Sequence, residues 1–272
     1  MQKHLTAALL AGAAFTCGLA SAAHAADWAG PYAGAALTYG NGDTSTSSVG
    51  TPAFQNGIGG AAAAANTLAS SATGSYRTRM SGTLGGFQAG YNWQHGAYVY
   101  GIEADLQAGR VTGGTTKSGL YPVAGFPLNP LSGNLVQQDR IDSLLTLRAR
   151  GGYAQGDWLF FGSAGLAYGE VDSHFSQSGS FAGAPTILFT NGPVKSATRR
   201  FGWALGGGVE YALNQKWTVR ADYLYYDLGR STVTYPIVAQ VPGVGTFYSS
   251  ASATASTHWF GSLVRVGVNY RF

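Results

Sequence analysis

The chain has 272 residues, and only 10% of them are charged, where about a quarter is usual in a soluble domain. Its formal net charge of +4 is too small to indicate a nucleic-acid partner. Glycine (41 residues) and aromatic side chains (13%) are both abundant. Few charges combined with many glycines and rings are typical of a β-barrel whose outer wall meets lipid.

The first 25 residues predict a cleaved secretory signal peptide. A positively charged start precedes an apolar stretch at 5–19, and small residues at 23 and 25 suit a signal peptidase, so we expect cleavage after Ala25. The stretch is shorter than the ~20 residues that a transmembrane helix needs. The mature chain, 26–272, is then predicted to form one domain. It lacks cysteine and therefore any disulfide.

The mature chain contains eight segments in which apolar residues alternate with polar or small ones, the period of a β-strand. In chain order they are 32–40, 83–94, 98–109, 143–154, 158–172, 201–213, 217–228 and 260–272. At about 3.3 Å per residue and a tilt near 40°, twelve residues climb about 30 Å, which is enough to cross a bilayer.

The connections alternate between short and long. Segments two and three, four and five, and six and seven are joined by tight turns at 94–97, 155–157 and 214–216. The other connections run to roughly 30–40 residues, which is the rhythm of short periplasmic turns and long extracellular loops. The sequence thus predicts an eight-stranded antiparallel transmembrane up-and-down β-barrel. The first long connection, 41–79, is rich in Ala, Gly, Ser and Thr, which fits either a short helix or a mobile loop.

Aromatic residues bracket the tight turns and mark a periplasmic girdle at the lipid headgroups. Its predicted members are Trp28, Tyr32, Trp93, Tyr98, Tyr153, Trp158, Tyr211, Trp217, Tyr270 and Phe272. The predicted outer girdle comprises Tyr39, Tyr168, Phe201, Trp203, Tyr223, Tyr225, Trp259 and Phe260. The large side chains share one face of each strand and many small ones share the other, so the apolar face is predicted to point outwards. A soluble, lipocalin-like barrel would reverse that orientation.

Sorting the charged residues by parity gives a group inside the lumen: Glu103, Asp105, Arg148, Arg150, Glu210, Arg220, Asp222, Arg265 and Arg271. Neighbouring strands should let Glu103 and Asp105 meet Arg148 and Arg150, and should place Glu210 near Arg220. Pairing offsets the cost of burying charge. The group is interpreted as a polar plug. The alternative is a narrow ion pathway.

A second group of charges falls at the bases of the long connections. It contains Arg77, Arg79, Arg110, Lys117, Arg140, Lys195, Arg199, Arg200 and Arg230. Because Arg and Lys bind phosphate by charge-assisted hydrogen bonds, this rim is predicted to hold outer-membrane lipid and lipopolysaccharide. The alternative is a solvated loop surface, which also carries acidic residues.

Catalytic chemistry has little support in the sequence. Glu170, His174 and Ser176 share a parity and are similar in type to the His-x-Ser arrangement of lipid A deacylases, so a lipid A-modifying enzyme is kept as a third hypothesis. The mature chain has no cysteine and no paired histidine spacing, and neither metal nor cofactor is expected.

The two ends of the mature chain resemble a known family. The stretch 27–34 (DWAGPYAG) and the terminal strand 264–272 (VRVGVNYRF), with GYNWQ at 90–94, are similar to the small outer-membrane β-barrel surface proteins of alphaproteobacteria. The resemblance implies a structural envelope protein that displays surface loops to a host or the environment. Separately, we expect the barrel-assembly machinery to recognise the terminal strand that ends at Phe272. It carries over no catalytic residues. A low-conductance channel is the alternative function.

Overall fold

The computed structural model describes residues 26–53, 61–181, 187–190, 194–241 and 245–272. Cleavage after Ala25 concerns residues outside this range and stays a prediction. In the described part of the chain, no helix is both long and apolar enough to cross a membrane.

The described residues form one antiparallel sheet with a single helix. The elements are β1 Gly30–Thr51, α1 Ala61–Ser71, β2 Gly74–His95, β3 Tyr98–Val123, β4 Phe126–Gln155, β5 Trp158–Phe181, β6 Ile187–Thr190, β7 Val194–Ala212, β8 Trp217–Val241 and β9 Gly245–Arg271. Each long strand pairs with the next in sequence, and β1 pairs with β9, so the sheet closes. The short β6 pairs with β5 and β8 beyond the upper end of β7. The predicted eight-stranded barrel is confirmed.

The hydrogen-bond register fixes the slant of the barrel. A path that leaves β2 at Leu84 and follows paired residues through β1, β9, β8, β7, β5, β4 and β3 returns to β2 at Gln94, ten residues further along. A shear of this size corresponds to strands tilted by about 40°. Because of this slant, residues that are hydrogen-bonded register partners on neighbouring strands do not lie at the same height along the barrel axis.

Tight turns join the strands at one end, which we call the periplasmic end. Gly96 and Gly156 adopt φ +60° there, a conformation that glycine reaches without a steric penalty. In the third turn the Asn214 side-chain oxygen accepts hydrogen bonds from the backbone N–H groups of Lys216 and Trp217. All three turns occur where the sequence predicts them.

At the opposite, outer end the predicted long loops are largely sheet. Strands β3 and β4 continue until only Ala124 and Gly125 separate them, and β8 and β9 extend to Val241 and Gly245. The segments predicted from hydrophobic alternation were therefore too short. Beyond the lipid the exterior faces water, so Ser, Thr and Gly occupy both faces and the period-two contrast in hydrophobicity fades.

The first long connection contains the only helix in the described residues. Leu68 and the small residues Ala64, Ala65 and Ala69 are buried against side chains from several strands, inside the outer end of the barrel. Gly50 makes this approach possible, because a Cβ there would lie 1.6 Å from the Ala69 carbonyl oxygen. Of the two alternatives for this connection, the helix is correct.

The exterior carries the apolar face that the sequence predicts to be outside. Leu37, Phe87, Leu147 and Val266 are all more than half exposed, and the girdle rings Trp93, Trp158 and Trp217 lie on the same surface. Three aromatic residues do not belong to the girdles. Trp28 folds beneath the barrel, and Tyr32 and Trp259 occupy inward-facing positions of β1 and β9, so all three are buried.

Candidate functional site

The centre of the lumen holds four carboxylates and four guanidinium groups. Members of one closed ring alternate in charge, in the order Glu103, Arg148, Asp105, Arg265, Asp222, Arg220 and back to Glu103, with N–O distances of 2.5–3.0 Å. Arg150 attaches Glu210 to this ring, lying 2.9 Å from Glu210 and 3.5 Å from Glu103. These eight residues, the lumen network, carry equal numbers of positive and negative charges.

Side chains point alternately inwards and outwards along each strand, and this brings the residues of the lumen network together from both sides of the barrel. Glu103 and Asp105 lie on β3 and Arg148 on the adjacent β4, as the parity of the sequence predicts. The ion-pair partner of Arg220 differs from the one expected. It is the register partner of Glu210, yet its guanidinium crosses the lumen to Glu103, and Glu210 is bound by Arg150 instead. Long side chains in a narrow barrel reach the opposite wall, so strand adjacency alone does not determine the pairs.

Neutral donors complete the network. The Tyr32 hydroxyl donates to Glu103 (2.6 Å), and the Thr146 hydroxyl donates to Asp105 (2.8 Å). Glu210 accepts hydrogen bonds from Thr218 and from Asn269. Each carboxylate except Asp222 thus has at least one neutral donor besides its arginines, which offsets much of the cost of removing the charge from water.

The periplasmic end of the lumen is closed by Trp28. Its ring packs with Val99, Leu159, Phe161 and Ala212, and its backbone N–H donates to the Gln94 side chain at 2.6 Å. Arg271, the ninth charge predicted inside, lies over the Trp28 ring and donates to backbone carbonyls of Asp27 and Asn214. The residues just before β1 therefore form a floor under the lumen network.

Above the network the lumen is filled by apolar side chains. The layer consists of Met80, Leu84, Val111, Ile141, Leu144, Ala167, Val171, Ala204, Leu224, Tyr226, Leu228, Trp259 and Leu263. Two glycines just below it on β7, Gly206 and Gly208, face side chains of β8, and a Cβ at either would lie 2.4–2.5 Å from a β8 carbonyl oxygen. The glycine run of β7 thus relieves crowding against β8.

A polar cluster with one carboxylate lies above the apolar layer. Asp139 accepts hydrogen bonds from Thr44 (2.5 Å), Gln137 (2.6 Å) and Ser173 (2.7 Å), and it is buried. Burial raises the pKa of Asp139 above its ordinary value, although the three hydrogen bonds oppose this. The Tyr76 hydroxyl is a nearby titratable group, and burial raises its pKa as well, so it stays neutral. Asp139 was expected among the acidic residues of a solvated loop surface, whereas the structure buries it.

We expect Asp139→Asn to change how stability depends on pH. A carboxyl whose pKa is raised by folding stabilises the folded state fully at pH values below its unfolded pKa, and that contribution disappears as the pH rises through the folded pKa. The variant should therefore gain stability relative to the parent as the pH rises from about 4, the ordinary pKa of an aspartic acid, towards neutrality. Urea unfolding of both proteins across this range measures the difference. A difference independent of pH would contradict the assignment.

The rim cations separate into outward, inward and undescribed side chains. Arg77, Arg79, Arg110, Arg199 and Arg230 are exposed on the exterior, and Arg140 is partly exposed there. Arg200 faces inwards instead, because it alternates in phase with the lumen-facing Ala204 and Glu210 on β7, and Lys117 turns inwards over the Tyr76 ring. The side chain of Lys195 lies outside the described residues.

Two of the rim cations pair with carboxylates in the described part of the chain. Arg77 binds Asp43 at 2.8 Å, and Arg140 lies between Asp142 (2.8 Å) and Asp172 (2.6 Å). The rim is therefore a belt of mixed charge.

The three residues of the enzyme hypothesis, Glu170, His174 and Ser176, lie at exterior positions of the upper part of β5. They face away from the lumen and from its buried polar groups. Within the described residues, no group of three or more His, Cys, Asp or Glu side chains is arranged to hold a metal ion.

A family model and two relatives match the sequence. The model, described as "Outer membrane protein beta-barrel domain", matches residues 7–272. The 31 kDa outer-membrane immunogenic protein of Brucella melitensis is 34% identical over 204 residues, which cover 74% of this chain and 70% of the relative. The 22 kDa outer membrane protein of Rhizobium leguminosarum is 28% identical over 138 residues, which cover 51% of this chain and 49% of the relative.

Solved structures of outer-membrane proteins are also similar to this chain, at low sequence identity. The outer membrane protein OprG of Pseudomonas aeruginosa is 14% identical with a TM-score of 0.40, and the alignment covers 90% of this chain and 96% of OprG. Neisserial surface protein A is 12% identical with a TM-score of 0.28, covering 88% and 97% of the two chains.

Proposed function

Because the chain belongs to the outer membrane protein β-barrel family, and is located in the bacterial outer membrane, we propose that it is a structural, non-conducting barrel that displays its outer end at the cell surface. Its relatives from Brucella and Rhizobium confirm the predicted resemblance to alphaproteobacterial outer-membrane proteins. The observation that carries the proposal is the filling of the lumen.

The lumen is occupied at successive heights by side chains with little or no exposure. From the periplasmic end these are the Trp28 floor, the lumen network, the apolar layer, the Asp139 cluster and finally helix α1. An ion that followed this path would have to displace both the apolar layer and paired charges, and each step is costly. Eight strands leave a lumen that side chains can fill, which supports a plug over an ion pathway.

The purified protein should show no conductance steps in planar bilayers. The heat-dependent electrophoretic mobility of the protein verifies that it is folded. A lack of conductance steps can then not be attributed to a lack of folded protein. Two variants, Glu103→Gln and Arg148→Gln, serve as probes of the alternative. If the parent protein gave reproducible conductance steps, and either substitution changed their size, the lumen would be a narrow ion pathway lined by the network and not a plug.

The role in surface display is supported by the outer extension of the barrel. The strands continue past the charged rim into a region whose exterior is rich in hydroxyl and amide side chains, as suits a surface in water. The immunogenic character in the name of the Brucella relative agrees with such exposure. Recognition of the terminal strand ending at Phe272 by the assembly machinery, and of the outer end by surface ligands, stays a prediction.

A further inference from the structure

We propose that the exterior of four consecutive strands, β8, β9, β1 and β2, binds a phosphorylated glycolipid of the outer leaflet, with Arg79 and Arg230 holding its phosphates. We call this surface the glycolipid face and define it by Asp43, Arg77, Arg79, Asp227, Arg230 and His258. The inference rests on the outer-membrane location and not on a closed lumen. It can therefore fail while the proposed function stands, and the reverse is also true.

The carboxylates of the glycolipid face are engaged by groups other than these two arginines. Asp43 accepts two parallel hydrogen bonds from Arg77, from Nε at 2.9 Å and from a terminal nitrogen at 2.8 Å. The guanidinium of Arg77 also lies over the Phe260 ring, at 5.4 Å from its centroid. Arg79 has Asp43 as its register partner, yet it forms no ion pair among the described residues.

The same situation holds at the other edge of the face. Both oxygens of Asp227 lie 3.0 Å from His258 Nε2, and one of them also accepts the Gly229 backbone N–H at 2.8 Å. Arg230 is the register partner of His258 and is exposed without an ion pair in the described part of the chain. Once the shear of the barrel is allowed for, Arg79 and Arg230 come to nearly the same height.

The opposite half of the rim is less suited to an anion. Asp142, Glu170 and Asp172 lie on the adjacent strands β4 and β5 there. Arg140 is placed between two of these carboxylates, and Arg199 is the register partner of Glu170. A phosphate approaching either arginine would meet nearby negative charge, which costs free energy.

Above and below the two arginines, the glycolipid face matches the other parts of such a lipid. Below them the exterior is apolar, with Leu37 and Val266 exposed where acyl chains would lie. Above them, hydroxyl groups of β8 and β9 form pairs on the surface, with Thr232 bound to Ser256 and Thr234 close to Thr254. Hydroxyl groups of this kind suit a saccharide headgroup. From the middle of the membrane outwards, the apolar, charged and hydroxyl tiers therefore match the acyl chains, phosphates and sugars of such a lipid.

The test compares two double variants in detergent. Arg79→Gln with Arg230→Gln removes the unpaired cations of the glycolipid face. Arg140→Gln with Arg199→Gln removes the same charge from the opposite half and is the matched control. Affinity for diphosphorylated lipid A should fall about tenfold or more in the first variant and change little in the second, because charge-assisted hydrogen bonds to phosphate are lost only in the first. Electrophoretic mobility before and after heating verifies that both variants are folded.

Three results would overturn the proposal. An equal loss in the control would show that the rim attracts lipid through its overall charge. Undiminished binding of dephosphorylated lipid A to the parent protein would show that acyl chains alone make the contact. A soluble polysulfated saccharide that binds as tightly as lipid A, and depends on the same two arginines, would identify a soluble polyanion as the ligand instead.

Discussion

Replacing Arg150 with methionine is expected to destabilise the barrel by about 3–5 kcal/mol, because it leaves a buried carboxylate without its cation. Glu210 would keep only Thr218 and Asn269 as donors, and the lumen network would carry one excess negative charge. Glu210→Gln creates the opposite imbalance and is expected to cost a similar amount. Urea unfolding of the protein in lipid vesicles, followed by tryptophan fluorescence, measures both free energies.

The double variant Arg150→Met/Glu210→Gln restores neutrality and leaves the closed ring of six charges intact. Its free energy of unfolding should therefore fall by less than the sum of the two single losses, with a coupling of roughly 2 kcal/mol. The partly exposed pair Arg140–Asp172 is the control, and its coupling should stay below about 1 kcal/mol because solvent reaches Arg140 and screens the pair. Additive losses in the lumen would show that Arg150 and Glu210 do not act as a pair.

The sequence could predict which side chains enter the lumen because parity along a strand is rigid. Once the Val264–Val266 face of the last strand is assigned to the outside, Arg265 must point inwards. The same rule applied to Trp259 and Arg200 would have placed both inside. Trp259 was instead assigned to the girdle because it is aromatic, and Arg200 to the rim because it is a cation, without regard to their parity along the strand. The missed signal was therefore present in the sequence.

Other features could not be obtained from parity. The pairing of Arg220 with Glu103 depends on how far a long side chain reaches across the barrel, which requires the shear and the closure of the sheet. The position of Trp28 depends on a chain segment that precedes the first strand and has no periodicity. The Asp139 cluster assembles residues from β1, β4 and β5 in a region where both faces are polar, so hydrophobic alternation gives no orientation there.

Leu147→Arg is expected to cost about 2–4 kcal/mol in lipid vesicles, since it places a charge at the middle of the lipid-facing wall. Leu147 lies on β4 halfway between the girdle residue Tyr153 and the rim residue Arg140, and 57% of it is exposed on the exterior. The matched control, Ser132→Arg, puts the same side chain on the exterior of the same strand above the rim, where it is in water. The control should change the free energy of unfolding by no more than about 0.5 kcal/mol.

If the two substitutions proved equally harmless in vesicles, the exposed apolar surface could not be facing acyl chains. If only Leu147→Arg is costly, the boundary of the hydrocarbon lies between positions 147 and 132, as the belt of charges at Arg140 indicates.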